Sequence, residues 1–344
     1  MAGYEVGSYR FDLNRFFPRG IFDAVTEVRV TDPGVILAEA KARKRRKKLT
    51  KDGKLVILAA DHPGRMITKS EDDPIAMGDR QEYLGRVLRV VTDPAVDGIM
   101  ATTDIIEDLF IVNHLVKKGG GPSFLDGKVM MGSMNRGGLS GALFEMEDTF
   151  TCFSVDSIRL LNLDAAKMMF RLDVTSRDAG RTMLACAEVI NELNRHEIPI
   201  FLEPLYVLTE GYKMQKTVPE MVKIIGVASA MGDSTRNLWL KIPYGGNYGR
   251  IVKATTLPLL MLGGESKGDP TGAIGEFAEG MKAGANVRGA LVGRNVLFPG
   301  KDDPLAVALA VDKVIHSGYP KEQAVEFLMA NRDLNLDALT RYIQ

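Results

Sequence analysis

Two lysines interrupt segments that otherwise read as buried strands. "AAKMMFRLDV" carries Lys167 and "NLWLKIPYGG" carries Lys241, each among apolar neighbours. A charge is costly to bury unless it is paired or neutralised. Two amines held close together repel, and burial penalises both ammonium forms, so at least one gives up its proton more readily. A neutral amine attacks a ketone, and the protonated imine that results draws electrons from the adjacent carbon–carbon bond. Lys241 is the candidate nucleophile. The competing reading is a lysine whose stem packs in the wall while its head reaches solvent.

Other polar residues break apolar runs at comparable positions. "AADHPGR" supplies Asp61, His62 and Arg65, and "FLEPLYV" supplies Glu203 and Tyr206. Phe201, Leu202, Pro204 and Leu205 surround Glu203 in sequence, an apolar setting that raises a carboxyl pKa towards the range useful for general acid–base work. Alternatively, Glu203 is a carboxylate permanently paired with one of the lysines. Asp61 is suited to orient a substrate hydroxyl or a proton-carrying water, and equally to cap the segment that follows it. His62 reads as a structural hydrogen-bond donor before it reads as a catalyst, and is a candidate substrate or phosphate contact.

Two glycine-bearing ends follow. "LGGES" contains Gly263 and Gly264, and "VGRN" contains Gly293 and Arg294. Glycine lets backbone N–H groups approach an anion closely, and Arg294 adds a cationic fork, so consecutive ends of this kind suit a phosphate. Two tight turns and a surface arginine would look the same.

These residues need strands to place them. Eight candidates are "KLVILAADHPG", "DGIMATTD", "GKVMMGSMNRGG", "AAKMMFRLDV", "IPIFLEPLYV", "NLWLKIPYGG", "LPLLMLGGES" and "VRGALVGRNVLF". Their near-continuous apolar runs suit parallel strands covered on both faces. Between them, "RQEYLGRVLRVV", "RDAGRTMLACAEVINELNRHE", "PEMVKIIGVASAM" and "DPTGAIGEFAEGMKAGA" repeat apolar residues near the helical period. Eight such units predict a (β/α)8 TIM barrel, with an open doubly wound sheet as the alternative. In a barrel the lysines of strands four and six share an interior layer, and reacting groups gather where strands end.

Residues 1–54 form an N-terminal extension and residues 55–344 the barrel with its C-terminal helices. The helix-like "DPGVILAEAKARKRRKK" is expected to close the N-terminal face of the barrel, and "PKEQAVEFLMANRDLNLDALTRYIQ" reads as extra helix after the eighth unit. "GGLSGALFEMEDTFTCFSVDSIRLLNLD" reads as a loop plus helix. The basic run at residues 41–48 suggests either a nucleic-acid patch or a solvated helix end, and the second fits a chain without a wider basic face.

Lys plus Arg total 44 and Asp plus Glu total 44, so no global field favours nucleic acid or an anionic membrane. No apolar run approaches the ~18 residues of a membrane span, and no secretory pattern opens the chain. Cys152 and Cys186 supply neither a disulfide framework nor a zinc site, and a reducing cytoplasm is expected. His62, His114, His196 and His316 are scattered without ligand spacing, so no metal is expected. Neither a P-loop nor a GxGxxG fingerprint is present.

Taken in order, these residues resemble the class I, Schiff-base aldolases of the (β/α)8 superfamily. The likeness is to the tagatose-bisphosphate and archaeal-type fructose-bisphosphate aldolase groups, over roughly residues 55–300, and more distantly to deoxyribose-phosphate aldolase. It implies Lys241 in "WLKIPY" as the imine-forming lysine, Glu203 in "FLEPL" as the catalytic carboxylate and Lys167 as the strand-four lysine. Gly293 and Arg294 fall on the phosphate-binding Gly-Arg, and Asp61 on the aspartate ending the first strand. Archaeal-type enzymes use a strand-five tyrosine as the acid, which sets Tyr206 beside Glu203 as a candidate.

The chain is also similar to an actinobacterial aldolase-like group associated with myo-inositol catabolism. That likeness implies cleavage of 5-dehydro-2-deoxy-6-phosphogluconate to dihydroxyacetone phosphate and malonate semialdehyde. Arg294 would hold the phosphate and Arg65, Arg136 or Arg171 the carboxylate. The expected function is therefore a cytoplasmic, homo-oligomeric lyase that acts on a small phosphorylated substrate without a cofactor. A sugar-phosphate isomerase or epimerase working without an imine, and a non-catalytic binding barrel, are the alternatives.

Overall fold

The first strand, Leu55–Ala60, is buried along its whole length, as a parallel strand covered on both faces must be. In the computed structural model, which describes residues 3–135, 139–142, 144–208 and 213–343, seven more strands follow it into one parallel sheet. They are Gly98–Ala101, Val129–Ser133, Ala165–Leu172, Ile200–Leu208, Leu238–Pro243, Leu259–Leu262 and Val287–Val292. Each pairs with the next, and the eighth returns to the first through Leu55↔Gly289 to Leu58↔Val292. The sheet is thereby closed, and the chain is a (β/α)8 barrel. A two-residue strand, Lys213–Met214, folds back antiparallel on the end of the fifth strand.

Strand side chains alternate between two cores. Leu55, Ile57 and Ala59 join Met100, Met131, Phe201, Leu260 and Leu291 inside the barrel. Val56, Leu58 and Ala60 belong to the larger layer beneath the helices.

The outer helices are Arg80–Val91, Thr103–Lys118, Val155–Leu160, Asp178–Arg195, Val218–Ser229, Thr271–Met281 and Pro304–Ser317, with a short turn of helix Tyr248–Ile251 in the sixth unit. Thr103–Lys118 begins where the strand candidate "DGIMATTD" was expected to end. Its buried face includes Asp108 and Asn113, which obscures the apolar stripe. Pro304–Ser317 is the eighth barrel helix, and the extra helix after it is Lys321–Ala330, followed by turns rather than more helix. No helix among the described residues is long and apolar enough to cross a membrane.

The N-terminal extension differs from expectation. Helix Val35–Ala42 lies against the outside of Thr103–Lys118, where Glu39 accepts hydrogen bonds from Asn113 (2.7 Å) and Lys117 (2.9 Å). The chain leaves the helix at Arg43, and it is the extended basic run that crosses the N-terminal ends of the strands. Arg43 and Arg45 meet Asp164 at 3.0 and 2.8 Å, and Arg46 meets Asp97 at 2.6 Å. Asp97 and Asp164 immediately precede the second and fourth strands. Leu49 then packs on the inner core. The run is thus a strap bound by buried carboxylates rather than a solvated helix end, with Lys44, Lys47 and Lys48 left exposed.

Candidate active site

Period-two alternation decides which predicted residues meet. On the fifth strand Phe201, Glu203 and Leu205 face inward, while Leu202, Pro204 and Tyr206 face the helices. Tyr206 packs against the outer layer and does not line the cavity. Lys167 and Lys241 occupy inward positions of the fourth and sixth strands, paired in register with Phe201 and Leu260.

The two lysines converge on one carboxylate oxygen. Glu203 Oε2 lies 3.0 Å from Lys241 Nζ and 2.9 Å from Lys167 Nζ. Lys167 also reaches Asp61 Oδ2 at 3.4 Å. All four side chains are buried, and Lys167 has no exposed surface. It therefore sits beneath the site as a counter-charge to Asp61 and Glu203. Lys241, Glu203 and Asp61 border a cavity of about 490 Å³ at the C-terminal mouth of the barrel.

The electrostatics follow from this convergence. Burial is the largest influence on Lys241 and lowers its pKa; Glu203 pulls it back, Lys167 pushes it down again, and the net shift is downward. Burial alone would raise the Glu203 carboxyl, but Lys167 and then Lys241 overcome it and bring the pKa down to about 2. The apolar flanks in the sequence point the other way; two ammonium groups on one carboxylate reverse the sign. Burial likewise opposes ionisation of Asp61, and Lys167 and Arg65 hold it far below the usual carboxylate range.

Gly263, Gly264, Gly293 and Arg294, at the ends of the seventh and eighth strands, line the same cavity. Gly264 has φ +73°, a left-handed conformation that glycine adopts without strain. A Cβ at Gly293 would stand 2.6 Å from the ring of His62, so the absence of a side chain there is what admits the histidine. Arg294 opens the short turn Arg294–Leu297 and meets exposed Glu265 at 3.3 Å. Its Nε is buried and has no hydrogen-bond partner among the described residues.

His62 and Arg65 also line the cavity, on the loop after the first strand. Arg171 does not. It is locked to Asp148 at 2.6 Å and to Glu145 at 3.1 Å, which removes it as a substrate cation. Arg136 lies outside the described residues. Among the described residues, no three His, Cys, Asp or Glu side chains gather so as to hold a metal ion.

The family described as Cgl0159-like matches residues 53–315. This chain belongs to the Cgl0159-like family. The crystal structure of Cgl0159 from Corynebacterium glutamicum is 32% identical, with a TM-score of 0.79, and the match covers 87% of this chain and 97% of that one. An archaeal fructose 1,6-bisphosphate aldolase is 19% identical with a TM-score of 0.57, over 82% of this chain and 99% of that one, a likeness of fold. An uncharacterized aldolase of Saccharolobus solfataricus is 27% identical over 152 residues, 43% of this chain and 53% of that protein. The match thus spans about half the length of that relative. The Cgl0159-like barrel is aldolase-like.

In this Cgl0159-like protein the cavity wall includes residues that the sequence did not single out. Lys216, just after the two-residue strand, and Lys267, in the loop after the seventh strand, both border it. Each belongs to a polar connection with no pattern of its own, so only the folded barrel brings it to the mouth. Asn135 is a second omission. It accepts from Met169 N at 2.7 Å and donates to Met169 O at 2.8 Å, tying the loop after strand three to strand four. The signal was an amide side chain closing "GSMN", where the third strand gives way to its loop.

Proposed function

We propose that this protein is a class I aldolase that cleaves a phosphorylated keto sugar or keto acid through an imine on Lys241. The observation that supports it is a buried lysine of lowered pKa, on the wall of a cavity, sharing one carboxylate oxygen with a second lysine. A lysine locked to a carboxylate without a cavity beside it would not serve; here the cavity borders both partners.

In this reading Glu203 takes the proton that Lys241 must lose, and the free amine adds to the substrate ketone. Glu203 returns the proton as the carbinolamine loses water, leaving a protonated imine. Glu203, again a carboxylate, takes the hydroxyl proton beyond the scissile bond, and that bond breaks. Its electron pair moves into the imine to give an enamine, and the aldehyde departs. Protonation of the enamine carbon and addition of water release the second product and regenerate Lys241. Lys167 lies against Glu203 and Asp61, and its nearness disfavours an ammonium at Lys241. Asp61 orients substrate hydroxyls, and Arg294 with the backbone at Gly264 and Gly293 holds the phosphate. The buried Nε of Arg294 without a partner supports that last assignment.

The resemblance to the inositol-associated group makes 5-dehydro-2-deoxy-6-phosphogluconate the first substrate to try, with Arg65 facing its carboxylate. We place the enzyme in the cytoplasm as a homo-oligomer that needs no metal or organic cofactor. The test is triose-phosphate release from a panel of phosphorylated ketoses and keto acids. Release by the wild type that is abolished in Lys241→Ala supports the imine. Turnover that survives Lys241→Ala points to a proton-transfer isomerase instead.

A further inference from the structure

His62 is held between the cavity and a residue outside the barrel. One edge of its ring lies on Gly293, where an added Cβ would stand 2.6 Å from Cε1 and 2.9 Å from Nε2. On the other edge Nδ1 is 3.4 Å from the hydroxyl oxygen of Tyr83. Tyr83 comes from helix Arg80–Val91, which follows the first strand, and its side chain is fully buried.

The chemistry of that contact fixes a proton. The Tyr83 hydroxyl is buried, and its O–H needs an acceptor. The acceptor it meets among the described side chains is His62 Nδ1. Burial pushes the Tyr83 ionisation well above the usual range, so the hydroxyl remains a donor. Burial also lowers the His62 pKa, and although Asp61 opposes this, Arg294, Arg65 and Lys241 reinforce it, leaving the value at about 3. The ring is therefore neutral at ordinary pH, and a neutral imidazole that accepts at Nδ1 carries its hydrogen on Nε2.

We propose that Tyr83 is a positioning residue that fixes His62 as the Nε2–H tautomer, so that a neutral N–H donor faces the Gly293–Arg294 corner and binds the anionic group of the substrate. The direction of the donor rests on reading that corner as the phosphate site; the tautomer does not. A neutral donor holds an anion equally well across the range in which an ordinary histidine titrates. It also adds no further cation beside Lys241.

The chain has four histidines, so selective ¹⁵N labelling of histidine gives a readable spectrum, with the His62 signals identified by their loss in His62→Gln. The wild type should show hydrogen on Nε2 of His62, and Tyr83→Phe should shift the ring towards the other tautomer. Hydrogen on Nδ1 in the wild type would overturn the proposal. Titration of the full chain with inorganic phosphate tests the donor's target. His62→Asn and Tyr83→Phe should each weaken binding about tenfold, the scale of a hydrogen bond to a charged group. His62→Gln, which keeps an N–H near the Nε2 position, should retain affinity, and adding Tyr83→Phe to it should change nothing more. Equal weakening by Tyr83→Phe in both backgrounds would reduce Tyr83 to a packing residue and overturn the positioning role. An Nε2–H ring in a protein that does not bind phosphate would remove the anion and the phosphate reading together, while leaving the tautomer assignment standing.

Discussion

Lys241 Nζ and Glu203 Oε2 stand 3.0 Å apart at the mouth of the barrel, and the same oxygen is held from beneath by Lys167 at 2.9 Å. The carboxylate is thereby shared between an amine that borders the cavity and one that does not. In the proposed mechanism that asymmetry separates the nucleophile from its charge partner. In that mechanism Glu203, 3.0 Å away, takes the proton that Lys241 must lose.

Removing that base while keeping its shape should slow the reaction more than it weakens binding. Glu203→Gln is expected to lower kcat by about 10²–10⁴-fold, the range of general acid–base catalysis, with a much smaller change in KM. Steady-state kinetics on whichever substrate the panel identifies would check this. An equal loss in Tyr206→Phe would contradict the outward placement of Tyr206.

The lowered pKa of Lys241 gives a pH dependence of definite sign. Imine trapping should rise with pH through a midpoint below that of an ordinary lysine, 10.5. Lys167→Met removes a cation that disfavours the Lys241 ammonium, so the midpoint should move up. It should also destabilise the fold by about 3–5 kcal/mol, because Asp61 and Glu203 lose a buried partner. A midpoint that moved down on removing Lys167 would contradict the electrostatic account.

Gly293→Ala should displace the His62 ring, since the new Cβ would meet Cε1 at 2.6 Å. The expected cost is about 1–3 kcal/mol of stability, as for other overpacked sites, together with weaker phosphate binding. Denaturant unfolding and phosphate titration would measure the two effects.

How far these residues were visible in the sequence depended on what kind of signal each gave. Lys167, Glu203 and Lys241 stood out because a charged residue inside an apolar run has few explanations, and period-two alternation points all three inward. Tyr206 failed by the same rule: three residues beyond Glu203, it falls on the other face. Arg171 has inward parity too, but its charge is taken by Asp148, 23 positions away in a loop without a pattern. Tyr83 reads as one more aromatic on an amphipathic helix until the fold brings its hydroxyl to His62. The basic run misled for a related reason, since Asp97 and Asp164 look like ordinary strand-entry residues before the strap is laid across them.

On the opposite face of the barrel, His316 joins Asp52 and Asp97, each at 2.9 Å, tying the eighth helix to the segment before the first strand. Burial lowers the His316 pKa, but its hydrogen bonds to Asp97 and Asp52 outweigh that and raise it to about 9 from 6.5. A raised folded-state pKa contributes stability that is complete below pH 6.5 and is lost as pH rises through about 9. Thermal unfolding between pH 6 and pH 10 should show this decline in the wild type and not in His316→Gln. A variant that followed the wild-type curve would refute the assignment.

The most direct test of the account is to incubate the protein with dihydroxyacetone phosphate, reduce with borohydride and map the modified residue by peptide mass spectrometry. The account predicts the mass of a reduced triose phosphate adduct on Lys241, absent when Lys241 is replaced by methionine. An adduct confined to other lysines, or no adduct from a protein that still releases triose phosphate, would contradict it.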